Sequence, residues 1–193
     1  PEQFRAAQAS LGSRLRALLR LDAIEAGARG DAPVPRDVGR CSVRRDGCVV
    51  SELIFETEPG IRLRAALVEP EPEKRGASGC TASAAAGRRR GGHRGVVCVS
   101  EAPYEAVLAP GGPADFLLHL NGALLVVEMR GMGAVPSEPC KMAEGYRRMG
   151  VEGYHFYNYG MVGRNLLGCR VWDTWVAIRC LRQVAGIHGD VHL

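Results

Sequence analysis

The chain has 193 residues, 46% hydrophobic and 24% charged, with a formal net charge of +4 and a mean hydropathy of -0.07. That length and balance fit one ordinary domain, which buries roughly 70% of the surface its unfolded chain exposes and needs no disulfide or metal to fold, and they exclude wholesale disorder. No apolar run approaches the roughly 18 residues of a membrane helix, and Arg14, Arg16 and Arg20 break the first apolar stretch, so no spanning segment, no membrane partner and no secretory signal are expected, and the expected location is cytoplasmic.

The positive charge is almost all arginine, since Lys74 and Lys141 are the only lysines. It is interleaved with Asp and Glu except at Arg88-Arg89-Arg90 and nearby Arg94, a block that follows the low-complexity segment 76–87. A solvated loop accounts for it, and with no interleaved aromatics or recognisable motif no nucleic-acid partner is expected. The seven cysteines form no C-x-x-C pair. The five histidines are scattered, so no metal site and no cofactor are expected. Cys98 and Cys180 lie within apolar patterns and read as small core residues, reduced by default.

In chain order, residues 1–25 hold an amphipathic helix over Glu2 to Leu21, with Phe4, Leu11, Leu15, Leu18 and Leu19 at three- and four-residue spacings. Residues 26–40, rich in Gly, Pro and Asp, read as a linker. From residue 41 two strand patterns flank Asp46-Gly47, Glu58-Pro59-Gly60 makes a second turn, and Ile61 to Val68 alternates apolar and charged residues, as in a strand with one wet face. These segments predict an antiparallel meander. A loop over 71–94 follows. Gly95 to Val99 is a short continuous apolar run, the mark of a strand buried on both faces, and Ala123 to Met129, apolar except for Glu128, reads as a second such strand, with a short helix over Ala114 to Leu120 between them. Residues Ala134 to Arg164 read as irregular, Arg170 to Val184 as a helix with Val171, Trp172, Trp175 and Val176 on its apolar side, and Val191 to Leu193 as the opening of another strand. Two buried strands joined through a helix imply a parallel crossover, so the class is α/β with an antiparallel edge.

Four segments carry a family resemblance. They are Phe55-Glu56-Thr57-Glu58-Pro59-Gly60-Ile61-Arg62-Leu63 running on to Pro70, Val96-Val97-Cys98-Val99, Leu124 to Gly133 with its Arg130-Gly131-Met132-Gly133 turn, and Asn165 to Asp173 followed by Ala177 and Leu181. In this order the chain resembles the front half of an α/β-hydrolase, more narrowly the acetyl xylan esterase-like and prolyl-oligopeptidase-like (dienelactone-hydrolase-like) hydrolases. The resemblance implies a partial α/β-hydrolase domain over 41–193 and an ester or amide substrate in the intact enzyme, with an acetyl-esterase-like activity expected first. It also implies a serine in a G-x-S-x-G elbow, with an acid and a histidine after it. No G-x-S-x-G occurs, and in family order the elbow would follow a strand starting near Val191. With Pro1 in place of a Met start, the expectation is a chain truncated before its nucleophile and inactive by itself.

One oxyanion donor would come from the loop Ser100-Glu101-Ala102-Pro103-Tyr104. Alignment by the strand end puts it at the Ala102 N–H, because Pro103 has none. A carboxylate at Glu101 would oppose a developing oxyanion. Arg130, with a fork suited to a carboxylate, reads as a structural clamp whose partner is Asp173. Tyr154, Tyr157 and Tyr159 are the binding candidates for an acyl or sugar pocket, set against ordinary core packing. The rival reading is a non-catalytic interaction module that pairs through an exposed strand edge or as an oligomer.

Overall fold

The computed structural model describes residues 2–22, 24, 37–45, 47–71, 94–119, 122–134 and 150–193. β1 (Asp37–Arg45), β2 (Cys48–Glu58) and β3 (Ile61–Pro70) form the expected meander, each antiparallel to the next. Gly60, at a φ of 82°, takes the left-handed conformation that the β2–β3 turn needs, and its N–H donates to Glu56 Oε1 at 2.8 Å. β1 starts inside the range read as linker, because Asp37 and Val38 pair with Ile54 and Leu53. The rest of the linker and most of the 71–94 loop lie outside the described residues.

β4 (Arg94–Ser100) and β5 (Gly122–Glu128) run parallel, β3 flanks β5 antiparallel, and β6 (Val191–His192) joins the outer edge of β4 in parallel. The sheet order is β1-β2-β3-β5-β4-β6. Central β5 is buried from Ala123 through Glu128, which is why Ala123 to Val127 are apolar throughout. Two expectations need correction here. β3 has one wet face only as far as Arg64; from Ala65, where it begins to pair with β5, both faces are covered. β4 is not buried along its whole length, since Val99 is 44% exposed at its C-terminal end.

Helices cover both faces. On one, α4 (Leu166–Ala185) lays Cys169, Trp172, Val176, Ala177, Cys180 and Leu181 against Phe55, Leu67, Val97 and Leu125. Those positions recur at three- and four-residue spacings, whereas Val171 and Trp175 fall off that stripe and stay 39% and 43% exposed, contrary to the expected apolar side. The helix begins four residues before the expected Arg170, because the Asn165 side chain caps it by accepting the Gly168 N–H at 3.1 Å. On the other face, the β4–β5 crossover packs Val107, Leu108, Ala114 and Leu118 against Ala66, Val68, Leu124 and Val126. It contains α2 (Tyr104–Val107), which starts on the last residue of the segment 100–104 read as loop, and a five-residue 3-10 turn, Asp115–His119, where a short helix was expected.

The segment read as irregular holds α3 (Gly150–Met161), with residues 135–149 outside the described residues. Its glycines and aromatics have poor helix propensity, and the Glu152–Arg170 ion pair at 2.5 Å helps to fix it against α4. α1 (Glu2–Leu19) forms as expected. Its apolar stripe, however, is exposed, and only Leu19 turns inward, with its carbonyl packed so closely on Gly168 that a Cβ there would overlap it.

Candidate functional site

β4 and β5 end level with each other, Ser100 opposite Glu128. β5 lies on one side of β4 and β6 on the other, so the strand order reverses at β4. In open α/β sheets the crevice at the carboxyl ends beside such a reversal is where ligands bind. Two loops rim this end of the sheet. One runs from Ser100 into α2, and the other from Met129 to Ala134.

Buried Glu128 joins them. Its Oε1 accepts the Tyr104 N–H at 2.9 Å and its Oε2 accepts the Ala134 N–H at 2.9 Å. Two backbone bonds reinforce the joint, Met129 N–H to the Ser100 carbonyl at 3.3 Å and Gly133 N–H to the Glu101 carbonyl at 3.1 Å. Gly133 is at a φ of 78°, and a Cβ there would come within 2.6 Å of the Glu128 carboxyl carbon. The second glycine of the Arg-Gly-x-Gly turn is thus where a carboxylate occupies the side-chain space. The Ala102 N–H donates to Ser100 Oγ at 3.0 Å, and that hydroxyl donates to the Ala102 carbonyl at 2.8 Å. The N–H assigned from the resemblance to an oxyanion therefore has a partner within its own loop.

Arg64 stands beside this rim. Its guanidinium meets Glu52 and Glu105 at 2.5 Å each, donates to the Tyr104 hydroxyl at 3.0 Å, lies 4.4 Å from the Tyr104 ring centroid, and approaches Glu128 Oε1 at 3.4 Å. Burial, helped by the charge of Glu105, raises the Tyr104 hydroxyl above its usual value. Burial would raise the Glu105 carboxyl as well, but the Arg64 hydrogen bond and charge outweigh it and the net shift is downward.

A second ionic group lies behind the Met129–Ala134 loop. Arg130 presents Nε to Asp173 Oδ2 at 2.6 Å and Nη2 to Oδ1 at 2.5 Å, with Glu58 Oε1 at 2.8 Å from the same Nη2. Arg164 binds the other Glu58 oxygen. Burial acts to discharge Arg130, but the Asp173 hydrogen bonds and charge, with Tyr159 adding to them, hold its pKa above the usual arginine value. Two guanidinium and two carboxylate groups leave the cluster neutral. Trp172 Nε1–H donates to the Thr57 carbonyl at 3.0 Å and ties α4 to the end of β2.

The structure thus brings Arg130 and Asp173 together. It does not gather the three tyrosines into one wall. All lie on α3, where Tyr159 packs at the edge of the core, Tyr157 is 50% exposed, and Tyr154 sits against the His155 ring. Sequence reasoning missed Glu128, Arg64, Tyr104, Glu58 and Arg164. One signal was present: a glutamate ending an apolar strand is a buried carboxylate in need of donors. Among the described residues no group of His, Cys, Asp or Glu is placed to hold a metal ion, and none of their helices is long and apolar enough to cross a membrane.

Two solved structures resemble this chain in fold. A protein from Bacteroides fragilis NCTC 9343 assigned as an acetyl xylan esterase matches with a TM-score of 0.66 at 12% identity, over 99% of this chain and 46% of that one. Acetyl xylan esterase 1 from Thermoanaerobacterium sp. JW/SL YS485 matches with a TM-score of 0.52 at 14% identity, over 89% of this chain and 47% of that one. The fold is a partial α/β-hydrolase fold of the acetyl xylan esterase kind. The chain spans about half the length of the esterases it matches. No protein-family model and no curated protein sequence matches it. The Ser100–Tyr104 loop follows β4, and the Arg130–Asp173 pair ties the Arg-Gly-x-Gly turn to the long helix α4.

Proposed function

We propose that these residues are the N-terminal part of a serine carboxylic-ester hydrolase, acetyl-esterase-like, and that the 193-residue chain alone is catalytically inactive. The observation that carries the reading is the strand-order reversal at β4, beside the Glu128-bridged loops, in a chain whose fold resembles solved acetyl xylan esterases. Inactivity is supported by the missing G-x-S-x-G and by the engagement of the Ala102 N–H with Ser100. Among the described residues the outer edge of β4 is paired only at Gly95 and Val96. A strand continuing β6 in this register would run past Val97, Cys98 and Val99 and end level with Ser100, beside the rim. That is where a serine on a strand-to-helix elbow would face the oxyanion loop. In the whole enzyme that serine attacks a small ester, histidine takes its proton, and backbone N–H groups stabilise the tetrahedral oxyanion.

Incubating the pure chain with p-nitrophenyl acetate and a fluorophosphonate probe tests the inactivity. The expected result is no probe labelling and no probe-sensitive turnover; a labelled serine within the chain overturns it. The esterase assignment is tested on the chain extended downstream in its reading frame. Probe-sensitive acetate release is expected there, and a downstream segment lacking a serine elbow refutes it.

A further inference from the structure

Every side chain of α1 from Phe4 to Leu18 is exposed. Four are large and apolar: Phe4 at 67%, Leu11 at 57%, Leu15 at 45% and Leu18 at 71% exposure. Spacings of seven, four and three residues put these four along one face of the helix. The helix is held to the body at its C-terminal end, by Leu19 against Gly168 and by the Arg20 guanidinium on the Gly163 carbonyl at 2.7 Å. A single helix of this length with Gly12 in its middle is marginal in water. Its apolar stripe calls for a covering surface.

The charges choose between occupants. From Phe4 to Leu18 the charged residues are Arg5, Arg14 and Arg16, with no acid among them. At about 100° per residue, Arg5 and Arg16 flank the stripe on one side and Arg14 flanks it on the other. A second copy would set arginines against arginines along both flanks, an unfavourable like-charge contact. An anionic lipid surface does the reverse: its phosphates meet both flanks while the stripe enters the headgroup–acyl boundary. The Arg16–Asp22 pair at 2.9 Å is exposed on both sides and is therefore weak.

We propose that α1 lies flat on an anionic lipid surface, with Phe4, Leu11, Leu15 and Leu18 inserted and Arg5, Arg14 and Arg16 on the headgroup phosphates. The expectation of no membrane partner rested on the lack of a spanning segment. A helix lying in the interface needs amphipathicity, not spanning length. This proposal is independent of any esterase activity.

Co-sedimentation of the 193-residue chain with vesicles tests it. One set is pure phosphatidylcholine and the other carries about a third phosphatidylserine. Binding is expected only to the second set and should weaken as salt rises. Leu11→Asp and Leu15→Asp change exposed positions, so circular dichroism and tryptophan emission should stay as in the parent, while affinity falls roughly tenfold or more for each. The pair Arg5→Gln with Arg14→Gln should lose roughly 25-fold. Absence of binding, or equal binding to both vesicle sets, overturns the proposal. Concentration-dependent dimers in light scattering that Leu15→Asp abolishes, with no vesicle binding, would overturn it in favour of a second copy.

Discussion

Asp173→Asn keeps the shape of a buried side chain and removes its charge. Asp173, Glu58 and Arg130 have 0%, 3% and 6% of their side-chain surface exposed, while Arg164 is 34% exposed at the cluster's outer end. Without the Asp173 charge, Arg130 keeps only Glu58, which Arg164 also binds. A cluster balanced at two positive and two negative groups is left with one uncompensated guanidinium in a dry site. Breaking one partner of a buried pair costs about 3–5 kcal/mol. That is a large share of the roughly 5–15 kcal/mol that holds an ordinary domain folded, and for a chain of this size it corresponds to a fall in Tm on the order of 10 °C. Arg130→Met should cost at least as much, since it leaves the Glu58 and Asp173 carboxylates facing each other. The double variant should lose less than the sum of the singles, by about 1–3 kcal/mol, because the second change removes a charge the first had orphaned. Urea unfolding followed by circular dichroism, with tryptophan emission reporting on Trp172, gives all three values. Single losses under about 1 kcal/mol, or strict additivity, would refute the account of a dry, coupled cluster.

Further outcomes follow from the same geometry. Glu105 has a lowered folded pKa, so its bond to Arg64 adds stability that is present above the ordinary glutamate value of 4.5 and is lost as pH falls through the lower folded value; Glu105→Gln should therefore flatten the acid limb of the stability–pH curve below pH 4.5, modestly because the side chain is 54% exposed. Gly133→Ala should displace the Glu128 carboxylate and lower stability by about 1–3 kcal/mol, read as faster amide exchange at Tyr104 and Ala134. Gly168→Ala should push Leu19 away and free α1 from the body, seen as early proteolytic release of the N-terminal segment while the remainder stays intact. Burial raises the Cys180 thiol to about 12 and raises that of Cys169 too, so both should resist iodoacetamide in the native chain at pH 8 and react only in denaturant, by peptide mass mapping.

The sheet was legible because its strands carry their surroundings in their residues. Leu124 to Val127 are apolar throughout because β5 has a strand on each side and a covered face above and below, and Ile61 to Arg64 alternate where β3 has solvent on one face. The α3 helix was hidden because Gly150, Gly153 and Gly160 among tyrosines and a phenylalanine carry neither propensity nor a clean period. Its stability comes from contacts with a helix that follows it in the chain. The stripe on α1 was visible as a pattern, but a pattern tells which face is apolar and not what covers it. The rim was least legible. Arg64, Glu105 and Glu128 are far apart in sequence and ordinary in type, and only the register that sets Ser100 beside Glu128 brings their loops within reach. Arg130 and Asp173 were easier, since an arginine fork after an apolar strand and an acid near a helix start suit each other as partners.

The bridge made by Glu128 has a consequence for how this rim can vary. Both of its bonds end on main-chain N–H groups, at Tyr104 and Ala134. Any residue except proline supplies that donor. The side chain at Ala134 is therefore free to vary without altering the separation of the loops, whereas Gly133 beside it is fixed by the Glu128 carboxylate and the Tyr104 side chain is engaged by Arg64. A joint of this kind holds two loop ends at a constant separation whichever residue other than proline stands at the acceptor's partner position, so sequence can drift there at little risk to the fold.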